Sequence, residues 1–109
     1  MEFLIRYRVA PENAAAQVAA VRKFKDGMRA DDDPDQRYDV YRETEEDGGV
    51  TFVHLAWMAT EEDFKRFQST DHFKEFTDGL KSRAISPPTV TPLISVAVDH
   101  VGLLGRSNP

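Results

Sequence analysis

Three histidines, one tryptophan and three tyrosines are the side chains of this 109-residue chain best suited to proton or aromatic chemistry near neutral pH. His54 and Trp57 stand in one short apolar run, FVHLAWMATEEDF (residues 52–64), that passes straight into an acidic helix start; His72 follows in a polar segment beyond it. An imidazole can take and return a proton at pH 7, and a buried indole offers a flat apolar wall with one N–H donor. No cysteine is present, which removes disulfides, thiolate metal sites and cysteine nucleophiles together. The histidines show no H-x-x-x-H spacing, and there is no phosphate-binding glycine loop or nucleophile elbow. Metal, nucleotide and hydrolase chemistry therefore find no support. The run DDDPD (residues 31–35) fails as a calcium loop: starting at Asp31, it places Gln36 where glycine belongs and Arg42 where glutamate belongs. It reads as a solvated loop, and ETEED (residues 43–47) as the polar tip of a hairpin.

The elements that must position these residues follow from patterning. Composition is that of an ordinary globular chain, 40% hydrophobic and 30% charged, and the length suits one domain over residues 1–109, with a core over about 2–98 and a tail over 99–109. A net charge of -5, with scattered Lys and Arg, argues against nucleic acid as a partner. No apolar run approaches the ~20 residues that span a bilayer. The N-terminus lacks a basic start and an apolar signal core, which points to the cytoplasm.

EFLIRYRVA alternates, with Phe3, Ile5, Tyr7 and Val9 on one face and Leu4, Arg6 and Arg8 on the other, as a half-buried strand does. Ala14, Val18, Val21, Phe24 and Met28 recur at helical spacing, with Gly27 weakening the end of that helix. RYDVYRETE is a second strand, Asp47-Gly48-Gly49 a hairpin turn, and Val50 opens a third strand. Thr60 with Asp63 forms a capping-box variant before a helix carrying Phe64 and Phe67. A further helical piece carries Phe73, Phe76 and Leu80, and SPP (residues 86–88) stops it before a last strand, TVTPLISVAV. That order predicts an α+β, ferredoxin-like βαββαβ fold, with both crossovers packing helices on one face of a four-stranded antiparallel sheet. With Val53, Leu55 and Trp57 assigned to the helix side, Phe52, His54, Ala56 and Met58 fall on the bare face. That face is apolar enough to predict a homodimer through the sheets, braced by Val101, Leu103 and Leu104 of the tail. On that assignment His54 is a buried, hydrogen-bonded imidazole of the dimer face. Tyr7, Tyr38 and Tyr41 read as strand residues, Tyr38 facing the helix side with Val40.

The stretch VTFVHLAWMATEEDFKRFQSTDHFKEF (residues 50–76) resembles the antibiotic biosynthesis monooxygenase family, in which a strand ending in tryptophan leads into an acidic helix and then a Ser-x-x-His-Phe-type segment. Trp57 and Ser69 to Phe73 carry the match. The resemblance implies a dimeric α/β barrel with a small cavity between sheet and helices in each subunit. That cavity would hold a quinol-like or polycyclic aromatic phenol, oxidised with O2 without metal or flavin. Such chemistry needs aromatic walls, one base and few charges. On this basis Trp57 is a wall and donor, and Val53, Leu55, Tyr38 and Phe64 complete the substrate-binding set. His72 is the expected base, kept neutral by a helix N-terminus, and His54 is its runner-up.

Departures from the family pattern set the alternatives. Leu55 stands where many members carry a carboxylate, and Val53 where some oxygenating members carry asparagine, so the helix-side wall is expected to be greasy. The haem-degrading branch uses an asparagine and a histidine at positions that fall near Ile5 and Thr77 here, which disfavours haem degradation. The competing expectation is a non-catalytic barrel that binds a hydrophobic small molecule.

Overall fold

The alternation of β1 (Glu2–Val9) sets the phase of the whole sheet. Tyr7 and Val9 are buried while Arg6 and Arg8 are exposed, so Phe3, Ile5, Tyr7 and Val9 face the core together. The computed structural model describes residues 1–43 and 49–97. The turn residues Asp47 and Gly48, most of the acidic segment before them, and the tail residues His100, Val101, Leu103 and Leu104 lie outside the described residues.

After a 3-10 turn at Pro11–Asn13, α1 runs over Ala14–Asp31. It passes through Gly27 without ending there and closes on Asp32, whose backbone adopts φ 49°. Strands β2 (Gln36–Arg42) and β3 (Val50–Met58) follow, then α2 (Glu61–Gln68), α3 (Asp71–Arg83) and β4 (Thr89–Leu93). The sheet is antiparallel throughout, in the order β2-β3-β1-β4, and this is the ferredoxin-like α+β arrangement expected from the element order. The capping box forms as expected: the Thr60 hydroxyl accepts from the Asp63 N–H, and the Asp63 carboxylate accepts from the Thr60 N–H.

Ring contacts show the helices on one face. Phe24 of α1 meets Tyr38, Phe64 of α2 stacks on Phe3 at 5.1 Å, and Phe76 of α3 lies 5.5 Å from His54. Register then corrects the expected orientation of β3. Ile5 pairs with His54, Tyr7 with Phe52 and Phe3 with Ala56, and directly opposed residues share a face. Val50, Phe52, His54, Ala56 and Met58 are therefore buried under the helices. Val53, Leu55 and Trp57 point to the opposite, bare face, beside Leu4 of β1. The cause is that β3 is apolar on both faces, so its own pattern contains no phase; only pairing with the one-sided β1 supplies it.

The last strand is also shorter than the apolar run predicted. β4 pairs with β1 from Arg6 back to Glu2, and Glu2 opposite Leu93 is where β1 begins, so nothing remains for Ile94 onward to pair with. Ile94 and Val96 are almost fully exposed. No helix among the described residues is long and apolar enough to cross a membrane.

Candidate functional site

His54 sits at the centre of β3 with its ring gripped from both sides. Its Nε2 lies 2.7 Å from the Tyr7 hydroxyl on β1 and its Nδ1 lies 2.7 Å from the Tyr38 hydroxyl on β2. The line continues behind Tyr7, where the Gln17 Nε2 of α1 donates to the Tyr7 hydroxyl at 2.7 Å and Arg83 Nε of α3 donates to Gln17 Oε1 at 2.5 Å. Five residues scattered from position 7 to position 83 thus form one buried polar chain through the core. Several elements place them. The end of α3 is tied to β1 by the Ile85 N–H donating to the Arg8 carbonyl at 2.8 Å, which brings Arg83 beside Gln17. The guanidinium lies against Gly79 one turn earlier, where a Cβ would come within 2.8 Å of Nη1. Tyr38 is held from its backbone, whose carbonyl accepts from Lys25 Nζ.

Burial tunes the titrating groups of this chain. Desolvation pushes the His54 imidazole down to about 4, so the ring is neutral at pH 7. The Tyr7 phenol is raised above its ordinary value, chiefly by burial and partly offset by the Gln17 hydrogen bond and the Arg83 charge. Burial, and secondarily Tyr7, raises the Tyr38 phenol. Each of these groups is inside because it is hydrogen-bonded; leaving one unpaired there costs roughly 1–3 kcal/mol.

Against the Tyr38–His54 end of the chain lies a cavity of about 330 Å³ between the sheet, α2 and α3. Phe3, Ile5, Phe64, Phe67, Phe73 and Phe76 are among its walls, and Tyr7, Tyr38, His54, Gln68 and Thr77 also border it. Larger depressions exist elsewhere, of about 420 Å³ between α1 and α3 and about 530 Å³ beside the Pro87–Pro88 segment. Neither joins an apolar enclosure to convergent buried polar groups, which is the combination a small-molecule site needs.

The residues singled out in the sequence divide accordingly. Tyr38, Phe64 and His54 come together at this cavity. Trp57, Val53 and Leu55 do not, because they occupy the other face of the sheet; Trp57 stands there between Glu2 and Arg37 of the neighbouring strands. His72 is also elsewhere. It packs into the α1–α3 groove, with its ring 5.8 Å from Phe24 and its Nε2 3.8 Å from an Asp31 carboxylate oxygen. Helix packing against Gly27 holds His72 there, away from the cavity in which a base would have to act. Ile5 and Thr77 both line the cavity and offer no nitrogen to iron, and both nitrogens of His54 are engaged by phenols, so the residues present do not fit a haem. Among the described residues no group of three His, Asp or Glu side chains is placed to hold a metal ion.

Tyr7, Gln17 and Arg83 were not singled out as site residues. Gln17 did carry a signal: it falls on the apolar stripe of α1, three residues after Ala14 and one before Val18, and is fully buried. A glutamine in that stripe requires a buried partner.

Fold and site together define a small ferredoxin-like α+β protein with an apolar cavity backed by a phenol–imidazole chain. The family model for antibiotic biosynthesis monooxygenase matches residues 3–79, and the chain belongs to that family. Solved structures agree on the fold. A candidate antibiotic biosynthesis monooxygenase from Caulobacter crescentus is similar with a TM-score of 0.71 at 21% identity, over 88% of this chain and 89% of that one. Another candidate, from Bacteroides thetaiotaomicron, gives 0.67 at 24% identity over 91% and 95%. A third, from Nitrosomonas europaea, gives 0.67 at 19% over 84% and 94%. No curated protein matches the chain.

Proposed function

We propose that this chain is a monooxygenase that uses O2 to oxidise a quinol-like or polycyclic aromatic phenol without a bound cofactor, holding it in the cavity between the sheet, α2 and α3. The observation that carries this reading is the cavity, about 330 Å³ with aromatic walls and the Tyr38–His54 pair as its buried polar centre. An anthrone-type substrate gives up a proton to water rather than to a side chain of the cavity, and the resulting anion passes an electron to O2. One oxygen atom becomes the new ketone at the reacting CH2 carbon, and the other leaves as water with the two hydrogens of that CH2. The protein's part is to bind the aromatic plane, to stabilise the oxygen on which the anion's charge rests and to exclude water. Phe64 and its neighbours form the walls, and Tyr38 is the group that meets the oxygen. His54, with both nitrogens engaged and its basicity depressed, supports Tyr38 and does not act as the base.

The remaining family-based assignments go to the bare face. Leu4, Val53, Leu55 and Trp57 form an apolar row there, and we assign it to a second copy of this chain, giving a homodimer with sheets face to face. A non-catalytic barrel that binds the same class of ligand is favoured by one observation: both nitrogens of the cavity's one imidazole are already bonded. Oxygen uptake separates the two readings. Metal-stripped protein given a panel of quinols and anthrone-type phenols is expected to consume O2, with uptake falling at least tenfold in Tyr38→Phe. Ligand binding without oxygen uptake would select the non-catalytic barrel.

A further inference from the structure

The buried hydrogen-bond chain has a direction, and it is set at the end remote from the cavity. Arg83 has only donors, so the oxygen of the Gln17 amide faces it and the NH2 faces Tyr7. The Tyr7 hydroxyl therefore accepts from Gln17. Its other polar neighbour is His54 Nε2 at 2.7 Å, to which it gives its own proton. A neutral imidazole that accepts at Nε2 carries its hydrogen on Nδ1 and donates it to the Tyr38 oxygen. The Tyr38 hydroxyl has that single partner among the described residues, so its own proton is left over, and Tyr38 lines the cavity. Running the chain the other way would bring two N–H groups onto Tyr7 and strand a third proton on an oxygen that already has two partners.

We propose that Gln17, oriented by Arg83, fixes the tautomer of His54 and thereby makes Tyr38 a hydrogen-bond donor toward the cavity, so that the site selects ligands presenting an acceptor oxygen, a ketone, a quinone carbonyl or a phenolate. Gln17 is a positioning residue. It is fully buried on α1 and is absent from the cavity lining, so it acts on the ligand only through Tyr7 and His54. The proposal rests on the reading of the cavity as the ligand site and adds the polarity of that site. It also accounts for an arginine placed against a core glutamine: a guanidinium has donors only, so the amide must turn its oxygen toward it.

Gln17→Glu tests the wiring. A carboxylate only accepts, so it takes a hydrogen bond from Arg83 and another from the Tyr7 hydroxyl. Tyr7 must then accept from His54 Nε2–H, Nδ1 must accept from Tyr38, and the cavity is offered a lone pair where it had a proton. The readouts are the nitrogen NMR shifts of His54 in ligand-free protein and the ratio of affinities for 1,4-naphthoquinone and 1-naphthol. The wild-type protein is expected to show Nδ1 protonated and Nε2 bare, and to favour the quinone. Gln17→Glu is expected to show the reverse tautomer and to move the affinity ratio at least tenfold toward the naphthol. Gln17→Met, which only removes the amide, should give a mixture of tautomers and an intermediate ratio, and serves if the glutamate variant does not fold. A wild-type His54 protonated on Nε2 overturns the proposal, as does a tautomer switch that leaves the ratio unchanged. The expected tautomers with neither probe bound would instead overturn the reading of the cavity and leave the wiring standing.

Discussion

The ring of His72 occupies the space that a side chain on Gly27 would fill: a Cβ at Gly27 would lie 2.6 Å from His72 Cβ and 2.7 Å from its Cγ. A glycine inside α1 costs about 1 kcal/mol of helix propensity relative to alanine, and here it permits the close approach of α1 and α3. The atoms in the way are the root of the partly buried His72 side chain, and a Cβ cannot swing aside. Gly27→Ala should therefore be destabilising on balance, by about 1–2 kcal/mol after the propensity gain, seen as a lower urea midpoint. Adding His72→Ala should restore only part of the loss, because alanine removes the ring but keeps the Cβ that lies 2.6 Å away. His72→Ala alone should leave oxygen uptake or ligand affinity unchanged, because His72 lines the α1–α3 groove and is absent from the cavity wall. Activity lost in that variant with its fold intact would return His72 to the reaction.

Stability should fall on the acid side in a way that reports His54. In the folded protein its imidazole stays neutral down to about 4, whereas an unfolded histidine protonates near pH 6.5. Between those values the unfolded chain binds a proton that the folded chain refuses. Stability is therefore complete above about pH 6.5 and is lost as the pH falls toward 4, by about 3 kcal/mol in all. Urea midpoints between pH 7 and pH 4.5 should drop more steeply for wild type than for His54→Phe, since the carboxylates are common to both. Parallel curves would contradict a buried neutral ring.

The cap of α2 ties stability to the cavity. Thr60→Ala removes the acceptor for the Asp63 N–H and should cost about 1 kcal/mol, with Thr60→Ser retaining most of it. Phe64 and Phe67 stand on this helix and line the cavity. Ligand affinity should fall along with the urea midpoint in the alanine variant. An affinity unchanged at lowered stability would mean that the ligand does not read the position of α2.

Leu55 tests the sheet face. It opposes Leu4 on β1 and Asp39 on β2, away from the helices. With the proposed sheet-to-sheet dimer, wild type should sediment as a dimer and Leu55→Lys as a monomer with an unchanged far-UV spectrum, because the substitution touches a face that the helices do not cover. A surviving dimer would place the interface elsewhere.

Much of the fold was legible because local chemistry is unambiguous where it matters. The one-sided alternation of β1, the Thr60–Asp63 cap and the stop at Pro87–Pro88 each depend on a few neighbouring residues, and together they order the elements. Tyr38, Phe64 and His54 were legible as candidates because aromatic and imidazole side chains in core elements are few. Trp57 and His72 were legible as candidates for the same reason; type alone does not show that Trp57 enters the bare face of the sheet and His72 the α1–α3 groove.

What the amino-acid sequence determined by itself was the set and order of elements, through periodicity, capping and turn chemistry that operate over a few residues. Only the tertiary structure decided the phase of β3, since both its faces are apolar and its orientation comes from pairing with β1 fifty residues away. The same holds for the line Arg83–Gln17–Tyr7–His54–Tyr38, drawn from two helices and three strands. No local pattern encodes it, because each of its members is held in place by a partner that only the folded chain brings within hydrogen-bond reach.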